Sequence, residues 1–127
     1  MKDVRTPAIR SFTQLHVWQE GHALVLMIHE CIKGFPKNQQ YGLTSQMSRA
    51  AISITSNIAE GFGRMSYKEK IQFYYVAQGS LIELQNQLLV ARDIGYLTKE
   101  RFNTIAQQTV TAHKLLAGFI KSAKRNL

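Results

Sequence analysis

The chain has 127 residues and carries 16 Lys and Arg against eight Asp and Glu, a formal charge of +8. A chain of this length is expected to form one domain that folds without disulfides or a structural metal. The single cysteine, Cys31, excludes an internal disulfide and a cysteine metal cluster, and it indicates a reducing, cytoplasmic compartment. No apolar run approaches the ~18 residues that a membrane helix requires, so we expect a soluble protein with no membrane partner.

The first predicted helix covers residues 14–33, with Thr13 as its candidate N-cap. Gly34 and Pro36 end it, because glycine suits the left-handed exit from a helix and proline cannot continue the hydrogen-bond ladder. Apolar or small residues recur three and four positions apart and predict one buried face. These residues are Val17, Gly21, Leu24, Ile28 and Cys31.

The second predicted helix covers residues 43–62 and has an unusually wide apolar surface. Its main buried stripe comprises Leu43, Met47, Ala50, Ile54 and Ile58. A second, weakly polar or apolar strip beside it comprises Ser48, Ile52, Thr55 and Ala59. Since a simple bundle buries a narrower arc, the second strip predicts a subunit interface on this helix.

The third predicted helix covers residues 67–94, and Ser66 and Glu69 have the spacing of a capping box. Its core stripe comprises Ala77, Leu81, Leu84, Leu88 and Ala91. Gly79 lies in the helix interior, where glycine costs ~1 kcal/mol relative to alanine. Close packing of another helix against Gly79 would explain why a glycine is present there.

The fourth predicted helix begins after Thr98 and ends near Lys121. Its inward-facing residues are Phe102, Ile105, Thr109, Ala112, Leu116 and Phe119. Four amphipathic helices with short connections and no strand pattern predict an all-α fold, an antiparallel up-down-up-down four-helix bundle. We divide the chain into a basic N-terminal extension (1–12), the bundle (13–121) and a basic C-terminal tail (122–127).

The sequence contains no recognisable catalytic or metal-binding pattern. Diiron bundles use Glu-x-x-His motifs, and no glutamate here precedes a histidine by three positions. His22 and His29 share a helix face without an evident third ligand, and Cys31 lies on the apolar stripe as a structural thiol. We therefore expect no enzyme activity, no catalytic residue, no metal and no cofactor.

A polar stripe runs along the second helix opposite its apolar face. It comprises Gln46, Arg49, Ser53, Asn57, Glu60 and Arg64. Glu60 and Arg64 have the spacing of an ion pair, and Glu83 on the third helix is a possible partner for Arg49. Two interpretations remain open: a solvated surface, or a hydrogen-bonded seam of Arg49, Ser53, Asn57, Glu60 and Glu83.

Clusters of basic residues predict contact with a polyanion, because cations that neutralise phosphates release counterions. One cluster lies at the corner between helices two and three: Arg64, Lys68 and Lys70. The others lie at the chain ends: Lys121, Lys124 and Arg125, and Lys2, Arg5 and Arg10. Both chain ends would emerge at the same end of an up-down-up-down bundle. Simple solubilisation is the alternative role of the charged ends.

Three tyrosines near the corner between helices two and three add aromatic surface: Tyr67, Tyr74 and Tyr75. They could contact nucleic-acid bases beside the basic cluster. Packing at an interface is the alternative role of these tyrosines.

Six stretches of the sequence carry a resemblance to a known family: 15–19, 35–36, 41–46, 49–54, 56–64 and 79–84. Through them the chain is similar to the four-helix bundle proteins encoded within 23S ribosomal RNA intervening sequences. The resemblance covers residues 12–120 and implies a homopentameric ring or barrel without enzymatic activity. The accessory variability proteins of diversity-generating retroelements are similar pentamers that bind nucleic acid, so they suggest that role by analogy. Thr55 departs from the family pattern, in which proline is usual.

Two functions follow as hypotheses. The first is a non-enzymatic homo-oligomer, a pentamer as the resemblance implies, that binds RNA or DNA or a nucleic-acid-handling partner. The alternative is a structural or adaptor protein whose ligand is another protein.

Overall fold

Four long helices account for most of the fold. The computed structural model describes residues 8–127, and within that range the chain forms helices and no strands. The helices are α1 (His16–Ile32), α2 (Leu43–Phe62), α3 (Tyr67–Asp93) and α4 (Lys99–Lys124). The all-α prediction is confirmed.

Each helix packs against its two neighbours in the cyclic order α1, α2, α3, α4, and the α2–α3 contact is the most extensive. The short connections make successive helices antiparallel. The start of α1, the α2–α3 corner and the end of α4 therefore meet at one end of the bundle, which we call the terminal end. A cavity of about 230 Å³ there is lined by residues of all three segments, among them Leu15, Phe62, Tyr67, Phe119 and Asn126.

The predicted stripes form the core of the bundle. All five predicted positions of α1 and all five of α3 are buried. The α4 stripe is also confirmed, although Phe102 and Phe119 are only half-buried at its edge. Cys31 is 1% exposed, as expected for a structural thiol, and burial raises its pKa.

The beginning of α1 differs from the prediction. Thr13 is not the N-cap of a long helix, because a 3-10 turn (Phe12–Gln14) precedes α1. Ser11 caps this turn: its hydroxyl accepts from the Thr13 amide at 3.2 Å. The Gln14 side chain accepts from the Ser11 amide at 3.2 Å, which completes a capping box.

The other predicted helix boundaries are close to those observed. The Ser66 hydroxyl accepts from the Glu69 amide at 3.2 Å, and that of Thr98 accepts from the Arg101 amide at 3.1 Å. The α4 helix continues to Lys124, so residues 122–124 are helical and do not belong to a tail. Of the basic N-terminal extension, residues 1–7, which include Lys2 and Arg5, lie outside the described part of the chain.

The second strip of α2 is largely covered within the subunit, so its apolar character does not by itself require a subunit interface on this helix. Thr55 is buried, Ser48 and Ala59 are half-buried, and only Ile52 is 50% exposed. A Cβ atom at Gly21 of α1 would lie 3.2 Å from the Thr55 methyl group. The wide apolar arc of α2 thus serves contacts with both of its neighbouring helices.

No helix among residues 8–127 combines the length and the apolar character that crossing a membrane requires.

Candidate nucleic-acid interface

The terminal end gathers basic side chains from three segments of the chain. The α2–α3 corner contributes Arg64, Lys68 and Lys70, and the last turn of α4 contributes Lys121, Lys124 and Arg125. Arg10 precedes α1 at the same end. The two predicted clusters therefore form one basic surface, although they are more than 50 positions apart in the sequence.

Lys70 is half-buried and stabilises the corner itself. Its ammonium group donates to the Phe62 carbonyl oxygen at 2.6 Å, where α2 ends. The same Nζ atom lies 5.4 Å from the centre of the Phe62 ring and 5.8 Å from that of Tyr67. A cation at a helix C-terminus satisfies exposed carbonyls and complements the helix dipole. Lys70 is consequently less available to a ligand than its neighbours.

Two further cations rest on aromatic rings. The Arg64 guanidinium carbon lies 4.6 Å from the centre of the Phe73 ring, and the Lys124 Nζ lies 5.1 Å from that of Tyr75. These cation–π contacts position the charges without neutralising them. The side chains of Lys68, Lys121 and Arg125 are exposed to solvent.

The three tyrosines divide between surface and core. Tyr67 and Tyr75 are 41% and 40% exposed, so each offers an accessible ring beside the basic side chains. Tyr74 is 2% exposed and packs against Phe119 with ring centres 4.7 Å apart, so it is a core residue and cannot contact a ligand. Burial raises the pKa of Tyr74 to about 12.

Part of the predicted polar seam is present. The Ser53 and Ser80 hydroxyls lie 2.8 Å apart and join α2 to α3. The Asn57 amide donates to the Ser53 carbonyl at 2.8 Å and to its hydroxyl at 3.1 Å. The sequence did not identify Ser80, because nothing in its spacing indicates which α2 residue it faces.

The charged members of the predicted seam do not pair. Among the described residues, neither Arg49 and Glu83 nor Glu60 and Arg64 approach within 4 Å as ion pairs. Arg49 and Glu83 instead line one open groove of about 650 Å³ between α2 and α3. The Glu83 carboxylate accepts from the Gln87 amide at 3.1 Å, and Glu60 is exposed.

We expect Asn57→Ala to lower the free energy of unfolding by about 1 kcal/mol, because it removes two half-buried hydrogen bonds that hold the Ser53–Ser80 contact. Glu60→Ala is the matched control on the same helix and should be close to neutral, since Glu60 is exposed. Urea unfolding at one protein concentration measures both. Equal free energies of unfolding for the two variants would mean that the Asn57 hydrogen bonds do not stabilise the fold.

The described residues contain no group of three or more His, Cys, Asp and Glu side chains arranged to hold a metal ion. His22 stacks on Trp18 with ring centres 4.7 Å apart. Cys31 is enclosed by the core.

The geometry defines an all-α four-helix bundle with cationic side chains concentrated at one end. The chain belongs to the 23S rRNA-intervening sequence protein family, whose model matches residues 13–118. The resemblance expected from the sequence is thereby confirmed.

A crystal structure of a protein of unknown function from the S23 ribosomal protein family of Bacteroides thetaiotaomicron has a similar fold. The two chains share 24% identity with a TM-score of 0.77, and the match covers 83% of this chain and 95% of that one. At this identity the likeness supports the fold alone. No curated protein matches the sequence.

Proposed function

We propose that the protein is a non-enzymatic homo-oligomer that binds RNA or DNA through the terminal end of each bundle. The family resemblance favours five copies in a ring or barrel. The buried, free thiol of Cys31 is compatible with a reducing cytoplasmic location. The proposal requires no cofactor.

The observation that carries the proposal is the convergence of basic side chains from the α2–α3 corner and the α4 terminus. Among residues 8–127, the acidic side chains close to the α2–α3 corner are Glu60 and Glu69. Long cationic side chains bind phosphates without reading bases, so we expect little sequence preference. The exposed rings of Tyr67 and Tyr75 provide surfaces on which unpaired bases can stack.

Assembly would strengthen these contacts. A single exposed cation contributes little, but several linked copies of one basic surface bind a long polyanion at high effective concentration. Light scattering at micromolar concentration should give about five times the 14.4 kDa chain mass. The mass of a single chain would contradict the proposed assembly. A different whole-number multiple of the chain mass would leave the assembly standing and change only the number of copies.

Lysine acetylation read by mass spectrometry tests the location of the surface. With a mixed-sequence single-stranded RNA bound at low salt, Lys68, Lys121 and Lys124 should react several-fold more slowly than in the free protein. Lys37 and Lys99 lie at the opposite end of the bundle and are the internal controls. A duplex DNA of mixed sequence should protect the same three lysines.

Uniform protection of all lysines would contradict a defined surface. If RNA and DNA protect none of them, the alternative becomes the better account, namely a structural or adaptor protein whose ligand is another protein.

A further inference from the structure

The cavity at the terminal end lies within the basic surface, yet its walls are largely apolar and aromatic. Its lining includes Leu15, Phe62, Tyr67 and Phe119. Protein interiors leave few voids larger than a water molecule, so a cavity of about 230 Å³ exceeds what ordinary packing leaves. Pockets for drug-sized ligands measure roughly 300–1,000 Å³. The cavity therefore has room for one ring system and not for a larger molecule.

Neutral polar groups accompany these walls. Ser122 and Asn126 line the cavity near the end of α4, and the Asn126 amide donates to the Ser122 carbonyl oxygen at 3.2 Å. A hydroxyl and a primary amide can each donate and accept hydrogen bonds. Among residues 8–127, the one charged residue in the lining is Lys70, whose ammonium group already donates to the Phe62 carbonyl oxygen. The interior thus suits an uncharged group with a polar edge.

The charges lie outside the cavity, next to its polar lining. Lys121 directly precedes Ser122 in the chain, Arg125 directly precedes Asn126, and both cations are exposed to solvent. A phosphate group would bind these outward cations, because transfer of a charged group into an apolar cavity costs its hydration. An uncharged ring attached to the same polyanion can enter the cavity without that cost.

We infer that the cavity receives one unpaired base of a single-stranded nucleic acid while the surrounding cations bind its phosphates. The inference rests on the proposed nucleic-acid interface and specifies single strands as its preferred ligand. A base has apolar faces that stack on aromatic side chains and a polar edge that can bond to Ser122 and Asn126. A base in a duplex must first be unpaired and unstacked, so duplex DNA binds through its phosphates alone.

Removing the bases while keeping the phosphates tests the inference. A single-stranded DNA of mixed sequence is compared with a strand of the same length made of abasic sugar-phosphate units. Fluorescence anisotropy at one low salt concentration measures both affinities. The wild type should bind the complete strand at least ~5-fold more tightly, because stacking of a base on an aromatic side chain has an effect of that size or larger.

Variants of α4 test whether the cavity is the source of this preference. Ser122→Leu fills the cavity without removing a cation, so it should abolish the preference and leave the affinity for the abasic strand unchanged. Gly118→Leu is the matched control, since it places the same side chain one turn earlier, at an exposed residue outside the cavity lining. Circular dichroism verifies that each variant is helical. Tyr67→Leu, which removes an aromatic wall, replaces Ser122→Leu if that variant fails to fold.

The outcomes separate the inference from the proposed function. Equal binding of the two strands by the wild type overturns the inference and leaves the nucleic-acid interface standing. The inference is also overturned if Ser122→Leu and Tyr67→Leu both keep the preference, or if Gly118→Leu loses it as Ser122→Leu does. A wild type that binds neither strand contradicts the interface itself and the inference with it.

Discussion

Gly61→Ala is expected to destabilise the bundle by about 1–3 kcal/mol, as overpacking of a close helix contact does. The new Cβ atom would lie 2.7 Å from Cε1 of Tyr74 and 2.9 Å from Cβ of Phe73. The Phe73 Cβ atom is bonded to the α3 backbone, so it cannot move aside unless the helix moves. This cost exceeds the ~1 kcal/mol that alanine gains over glycine in helix propensity.

Gly118→Ala provides the control, because its Cβ atom meets open space. It should gain up to ~1 kcal/mol from helix propensity alone. Urea unfolding at a fixed protein concentration compares the two variants with the wild type. If Gly61→Ala is as stable as the wild type, α2 and α3 are not in the close contact described.

The helices were predictable because their core residues repeat at helical spacing. The stripe Val17, Leu24, Ile28 identifies the buried face of α1 without knowledge of its neighbours. The boundaries of α2 were predicted as observed, since glycines lie on both sides of it. Local signals sufficed for these features because a helix repeats every 3.6 residues, so its buried face is visible as a spacing within the sequence.

Features that depend on contacts between helices were not predictable. Nothing in the sequence indicates that Thr55 faces α1 or that Ser53 meets Ser80, because helix rotation is set by the whole core. The second strip of α2 turns towards its neighbouring helices, whereas α3 exposes Val76, Ile82 and Leu89 to solvent. Close helix packing was expected at Gly79, but within the chain a Cβ atom there would meet nothing within 4 Å.

The basic residues of the candidate site could be predicted from the sequence, but their contacts and burial could not. The six basic residues were identified from clustering alone, and their shared end follows from the order of the helices. The hydrogen bond from Lys70 to Phe62 and the burial of Tyr74 were missed, since each depends on how the α2–α3 corner closes. A basic residue a few positions after a helix end is the one signal that suggests such a cap.

The proposed binding surface implies a definite dependence of DNA affinity on salt concentration. Each phosphate that a protein neutralises contributes about −0.9 to the slope of log affinity against log salt on duplex DNA. Replacing Lys121, Lys124 and Arg125 together with glutamine should therefore make that slope shallower by roughly 2 to 3 and weaken binding similarly for every sequence. Loss of these cations from the end of α4 should cost about 1 kcal/mol of stability or less.

The most direct measurement is the salt dependence of duplex DNA binding for that triple variant beside a charge-matched control. The control replaces Lys37, Lys99 and Arg101 with glutamine; these exposed residues lie at the opposite end of the bundle. Both triple variants lose the same net charge, so general polyanion attraction falls equally in each. We expect the control to keep the wild-type slope of log affinity against log salt. The slope of the terminal-end variant should be much shallower. Equal slopes for the two variants, or a wild type that does not bind at low salt, would contradict the terminal end as a nucleic-acid interface.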